Sequence, residues 1–199
     1  MAIDHNADAS NGYEAVADDF IAIRNRSSIG AGTVLNWATS LRPDGDVLDI
    51  GCGHGSPVSN TLVDQGFKVY GVDASPRLVA AFRARLRDAQ VECAAVEDSQ
   101  WFNRKFDGVV AWGLMFLLRP DTQATVIQKV SSALVPGGQF LFTAPHQQCA
   151  WNDLLTNREC ISLGATAYRD LLESAGLALI GDAKDEGQNY YYFARKREG

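Results

Sequence analysis

Residues Val47–Gly55 read VLDIGCGHG. A short apolar run ends in the carboxylate of Asp49 and turns at once through three alternate glycines, Gly51, Gly53 and Gly55. Glycines spaced in this way permit backbone conformations closed to residues with a Cβ, and they let a ligand lie directly against the main chain. A helix that follows such a turn offers free N–H groups toward the ligand. In open α/β sheets the ligand crevice lies beyond the carboxyl ends of the strands. The stretch therefore predicts a strand, a turn and a helix, with a binding site at the turn.

The pattern on either side agrees. Upstream, Tyr13, Val16, Ala17, Phe20, Ile21 and Ile23 recur at helical intervals. A second helical stretch, Val34–Leu41, closes at the breakers Arg42-Pro43-Asp44-Gly45. Downstream, helix-compatible Pro57–Gln65 stops at Gly66, β-rich Phe67–Val72 leads to Asp73, and Pro76 opens a helix to Asp88. Val91–Val96, Phe106–Ala111 and Gln139–Thr143 read as further strands, with a helix from Asp121 or Thr122 to Leu134 before the turn Pro136-Gly137-Gly138. About twenty residues after Pro145 carry a weak pattern and predict an irregular connection. A last helix ends at Gly176, and Leu177–Gly181 and Tyr190–Ala194 form a candidate hairpin. Strands alternating with helices predict an α/β fold, a Rossmann-like doubly wound sheet with helices on both faces. Five parallel candidates plus the hairpin pair give about seven strands, the last antiparallel. Residues 1–12 read as a flexible tail and 13–199 as a single domain with an N-terminal helical cap.

Composition narrows the function. Of 199 residues, 46% are hydrophobic, enough for a substantial core without staples. Lys and Arg total 18 against 24 Asp and Glu, a net charge of −6. No basic stripe is present, so no nucleic-acid partner is expected. Cys52, Cys93, Cys149 and Cys160 lack CxxC spacing, which argues for reduced thiols and against a metal site. The start MAIDHNADAS lacks the apolar core of a signal peptide, and Gly108–Leu118 is shorter than the roughly 18 residues that cross a bilayer. A soluble, cytoplasmic protein is expected; its oligomeric state is left open.

The glycine loop fits neither common nucleotide motif. The dinucleotide fingerprint needs GxGxxG/A, and here Gly55 comes one residue early with Ser56 in the third slot. The phosphate loop needs GxxxxGK[ST], and no lysine follows. The loop resembles instead motif I of class I S-adenosylmethionine-dependent methyltransferases, in small bacterial-type members. Asp73 lies 22 residues after Gly51, the spacing at which a Rossmann carboxylate meets ribose hydroxyls; N-capping of the helix before Pro76 is its alternative role. The segment VEDSQWFNRKFDGVVAWG resembles the family's next motifs, and LVPGGQFLFT (Leu134–Thr143) resembles the turn before its fifth strand. The terminal stretch resembles the family's last helix and hairpin, so the likeness runs from about residue 13 to 196.

The resemblance implies S-adenosyl-L-methionine as cofactor, S-adenosyl-L-homocysteine as product and a small-molecule acceptor with a nitrogen, oxygen or sulfur nucleophile. It places Gly51, Cys52, Gly53, Gly55 and Ala74 against the cofactor, with Asp73 at its ribose. Glu97 and Asp98 fall near adenine, and Ala111, Trp112 and Gly113 beneath the sulfonium. Asp49 faces the methionine ammonium or braces the glycine turn. Tyr13 and Arg24 resemble the segment that closes over the cofactor, Arg24 meeting its carboxylate; a helix packed on the sheet with Arg24 solvated is the other reading. Where many relatives have a histidine after the fourth strand, Met115 and Phe116 stand in GLMFLLRP, which predicts an apolar wall. His146, after the fifth strand, is then the first candidate base; His54 is assigned to cofactor packing, and His5 lies in the tail. Trp101, Phe102 and Trp151 line the acceptor cavity or pack the core. The missing histidine also keeps open a second function, a catalytically silent S-adenosylmethionine-binding regulatory or partner protein.

Overall fold

The structure, a computed structural model, describes residues 8–198; residues 1–7 of the expected tail, His5 among them, lie outside the described residues. Two short helices come first, α1 (Ala17–Arg24) and α2 (Ala31–Ala38). The alternating part then runs β1 (Asp46–Ile50), α3 (Val58–Asp64), β2 (Lys68–Asp73), α4 (Pro76–Arg85), β3 (Gln90–Cys93), β4 (Phe106–Ala111), α5 (Pro120–Ala133) and β5 (Leu134–Thr143). Two further strands follow, β6 (Cys149–Asn152) and β7 (Glu159–Ser162), then α6 (Ala165–Ser174), β8 (Leu177–Lys184) and β9 (Tyr190–Lys196). No helix of the described residues is long and apolar enough to cross a membrane.

Seven strands form one sheet in the order β3-β2-β1-β4-β5-β9-β8. The first five are parallel, and β9 runs antiparallel between β5 and β8. Successive side chains of a strand point to opposite faces, and the core divides accordingly. Leu48, Ile50, Val109, Phe140, Phe142 and Tyr192 pack on one face. Val47, Val69, Val110, Leu141 and Tyr191 pack on the other. Strand order reverses between β1 and β4, so the carboxyl ends of β1, β2, β4 and β5 open on a common crevice, the usual ligand position in such sheets.

The connection after Pro145, expected to be irregular, contains the β6–β7 hairpin. Its strands pair only with each other, Cys149 opposite Ser162 and Trp151 opposite Cys160. Gln123 of α5 fixes this outlier to the body of the protein. Its fully buried amide donates to Leu118 O and Ile161 O, both at 2.9 Å, and accepts the Tyr168 hydroxyl at 2.8 Å. One side chain thus ties the segment after β4, the hairpin and α6 together. Gln123→Ala leaves two carbonyls and a hydroxyl without their partner and is expected to cost about 2 kcal/mol of stability in a urea unfolding curve. A change within a few tenths of a kcal/mol would show that water replaces the amide.

Candidate active site

The glycine turn is held by β2. Gly51 N and Cys52 N both donate to Val72 O, at 2.8 and 3.1 Å. Gly53 N donates to Asp73 Oδ2 at 2.8 Å, while Ser75 N donates to Asp73 Oδ1 at 2.9 Å. One carboxylate therefore braces two turns at neighbouring strand ends. A carboxylate has about four acceptor sites, so Asp73 retains capacity toward the crevice. Burial pushes its pKa up, against the hydrogen bonds from Ser75 and Gly53. The N-cap of α4 is Ser75, whose hydroxyl accepts from Leu78 N at 3.2 Å, not Asp73.

Asp49 is almost wholly buried and accepts the Ser59 hydroxyl at 2.6 Å. Desolvation raises its pKa to about 7; the Ser59 hydrogen bond pulls it down and the nearby Asp73 charge pushes it up. Such a group ionises readily when a cation arrives.

Across the crevice, the Arg24 guanidinium stacks on the Trp112 ring, 3.8 Å from its centroid. Its Nε is buried and has no hydrogen-bond partner among the described residues. Burial lowers the Arg24 pKa to about 10, which still leaves it charged at neutral pH. The helix does pack on the body of the protein, but Arg24 is not simply solvated. Trp112 Nε1 donates to Tyr191 Oη at 2.5 Å, and Tyr191 in turn donates to Asp185 at 2.8 Å. Asp185 also accepts from Gly187 N, Asn189 N and Asn189 Nδ2, so the β8–β9 turn is organised around a buried carboxylate. Gly113 N donates to Thr143 Oγ1 at 2.8 Å, and a Cβ on Gly113 would meet nothing within 4 Å.

The segment before α1 spans the crevice. Asp8 accepts from Ser10 N and Gly12 N at 3.0 and 2.9 Å, closing a turn within the expected tail. Glu14 accepts from Ser75 Oγ and Arg77 N at the start of α4. In the other direction, Tyr13 donates to Asp153 at 3.0 Å on the β6–β7 turn, and Gly12 lies against Thr156. Asn11, between these contacts, adopts φ +52° and presents a buried Nδ2 with no partner among the described residues.

These elements enclose a cavity of about 800 Å³, in the upper range for small-molecule sites. Of the residues singled out from sequence, Tyr13, Arg24, Asp49, Gly51, Cys52, Gly53, Asp73, Ala74, Glu97, Trp112, Gly113 and His146 line it. Three do not. Gly55, at φ +89°, faces α4: a Cβ there would lie 3.0 Å from Leu86 and 3.1 Å from Phe82, so its role is close packing. Ala111 points into the core beneath β4, and Asp98 is exposed on the turn after β3. His54 also stays out of the cavity. It packs edge-on against Phe20 at 5.9 Å, contacts Asn25 Oδ1 at 3.1 Å and is held neutral by burial, its pKa lowered to about 4. Trp101 is core, donating to Val96 O at 3.1 Å, with Phe102 packed against the same cluster; Trp151 lines the cavity. Asn11, Thr143 and Asp153 were not foreseen. They reach the cavity through contacts far apart in sequence, and no local signal marks them.

Comparison with known proteins is in keeping with this geometry. A family model described as a methyltransferase domain matches residues 23–181. The chain belongs to the class I S-adenosylmethionine-dependent methyltransferase family. It is 28% identical over 112 residues to an uncharacterized methyltransferase of Synechocystis sp., covering 56% of this chain and 52% of the relative. It is also 28% identical over 136 residues to the sarcosine/dimethylglycine N-methyltransferase of Halorhodospira halochloris, covering 65% and 48%. The chain thus spans about half the length of the curated relatives it matches. Among solved structures, the Burkholderia thailandensis 1,6-didemethyltoxoflavin-N1-methyltransferase, crystallised with 1,6-didemethyltoxoflavin and S-adenosylhomocysteine, shares the fold. Its TM-score is 0.70 at 21% identity, over 98% of this chain and 93% of that one. This methyltransferase-family chain departs from motif expectation at the third glycine, which serves the fold rather than the crevice.

Proposed function

We propose that the protein transfers a methyl group from S-adenosylmethionine to a small-molecule acceptor with a nitrogen, oxygen or sulfur nucleophile. The observation that carries this reading is the pairing, in one cavity, of a buried guanidinium lacking a partner at Nε with a carboxylate that braces a glycine turn. The first suits the carboxylate of an amino acid and the second the hydroxyls of a ribose. The residues fit the cofactor along its whole length. Asp73 would accept from the ribose, Ala74 and Glu97 would flank the adenine, and Arg24 would hold the methionine carboxylate. Asp49 would meet the ammonium, and Trp112 and Gly113 would floor the sulfur. When bound, S-adenosylmethionine supplies an electrophilic methyl group already activated on sulfur.

The chain's own task is then orientation and exclusion of water, which can supply about 7–11 kcal/mol of barrier reduction. His146 lines the cavity beside Tyr190, ring centroids 5.0 Å apart, and is the group proposed to take a proton from an acceptor that must lose one. A small acceptor is supported by the net charge of −6 and by the short β6–β7 hairpin, which leaves little room at that connection for an inserted substrate domain. The sarcosine/dimethylglycine enzyme and the didemethyltoxoflavin enzyme, by their names, also act on small molecules.

Calorimetry with S-adenosylmethionine and S-adenosylhomocysteine tests the reading. Both are expected to bind, and Arg24→Met to weaken them about tenfold through loss of a charge-assisted contact. Equal affinity in that variant would remove the carboxylate assignment, and no binding by the wild type would remove the function. Binding without S-adenosylhomocysteine formation over a broad acceptor panel would favour the catalytically silent alternative.

A further inference from the structure

Beyond Gly113 the cavity is walled by rings from separate elements. Phe116 lies in the single 3-10 turn Met115–Leu117 after β4, and Trp151 lies on β6. Their centroids are 5.2 Å apart with planes at 46°, and both rings line the cavity. His146 and Tyr190 meet edge-on in the same lining. The wall is preformed: Gln123 anchors both Leu118 and Ile161, and Ser162 Oγ donates to Pro145 O at 2.7 Å. Apolar, aromatic-lined space of this kind favours flat rings, which stack or meet edge-to-face.

The polar groups on this side narrow the occupant further. Asp153 is the carboxylate nearest this wall in sequence, and it is largely satisfied. Its Oδ1 accepts from Leu155 N and Thr156 N at 2.9 and 2.8 Å, and its Oδ2 takes the Tyr13 hydroxyl. With three of about four acceptor sites taken, it leaves a cationic amine one at most. Lys184, the lysine of the lining, is exposed, so an anionic ligand would gain a screened contact at most.

We propose that the acceptor is an uncharged, planar aromatic or heteroaromatic small molecule, held against Phe116 and Trp151. The proposal rests on the methyltransferase reading above, and the experiment separates the two. The protein loaded with S-adenosylhomocysteine is titrated calorimetrically with 6-hydroxyquinoline, with 7-hydroxycoumarin and with the aliphatic amine N,N-dimethylethanolamine. The two aromatics are expected to bind saturably and the amine not to. Trp151→Ala is expected to weaken the aromatics about tenfold while Trp151→Phe stays within about threefold of wild type. S-adenosylhomocysteine affinity is expected to be the same in both variants, which also certifies their folding. Preference for the amine, no aromatic binding, or aromatic binding untouched by Trp151→Ala would overturn the acceptor class while leaving the function standing. Failure of the wild type to bind S-adenosylhomocysteine would overturn both.

Discussion

Alanine at Asp73 is expected to weaken S-adenosylhomocysteine binding by about a hundredfold or more and to destabilise the free protein by about 2–3 kcal/mol. Two effects combine. In the free protein the carboxylate accepts from Gly53 N and Ser75 N, so its removal leaves two backbone donors of the turns without partners. Hydrogen bonds to a charged group contribute about 1.5–3 kcal/mol each when measured by deletion, less where water enters. In the complex the same carboxylate would also accept from ribose hydroxyls, and that contact disappears with it. Asp73→Asn keeps one acceptor but turns an N–H group toward a backbone N–H, so an intermediate loss is expected. Chemical denaturation and calorimetry, run on the same samples, separate the two contributions. Full cofactor affinity in a destabilised Asp73→Ala protein would make this residue a brace and nothing more.

Asp49→Asn is expected to act in the opposite sense on the free protein. The wild-type carboxyl keeps its proton to about pH 7 in the fold, whereas an unfolded aspartate loses it near about 3.9. Between those values the folded state carries the extra proton. Stability therefore falls as pH rises through that window, by about 1.4 kcal/mol per unit, and levels off above it. The whole effect is on the order of 4 kcal/mol at most. Asparagine can still accept the Ser59 hydroxyl and has no proton to lose, so the variant should melt higher at pH 8 and show a flatter profile from pH 5 to 7. Binding should suffer in compensation. An ammonium drawn to ionised Asp49 would expel its proton, so wild-type affinity should rise with pH up to about 7. Calorimetry in buffers of different ionisation enthalpy counts that proton. Superimposable melting profiles for the two proteins would mean that the carboxyl is not perturbed as described.

Much of the fold was legible because its signals are local. The strands Asp46–Ile50 and Phe106–Ala111 occur as read, bounded by turn residues on each side. The helix expected over Pro57–Gln65 occupies Val58–Asp64, and Pro76 opens α4 behind its Ser75 cap. The split of Tyr191 from Tyr190 and Tyr192 across the two faces also follows from alternation alone. Elements held by distant partners were not legible. The strands β6 and β7 are four residues each, β6 largely exposed, and pair only with one another, so both are too short to carry a clear period. The turn at Asp8–Gly12 closes on its own backbone but gains its place from Thr156 and from Arg158, 3.9 Å from Asp8. The site shows the same division. Motif spacing located the glycine turn, Asp73 and the end of β4. It could not say which way a backbone faces, and so Gly55 and Ala111 were assigned to a crevice from which they point away.

The bridge from Glu14 to Tyr13 is fastened at both ends, to the start of α4 and to the hairpin tip. Anything too large for the gap beside it must wait for one of those fastenings to open. The time a spent nucleoside stays inside would then be governed by a phenol and two acidic side chains. Loosening that bridge with Tyr13→Phe would be a way to hasten its exit.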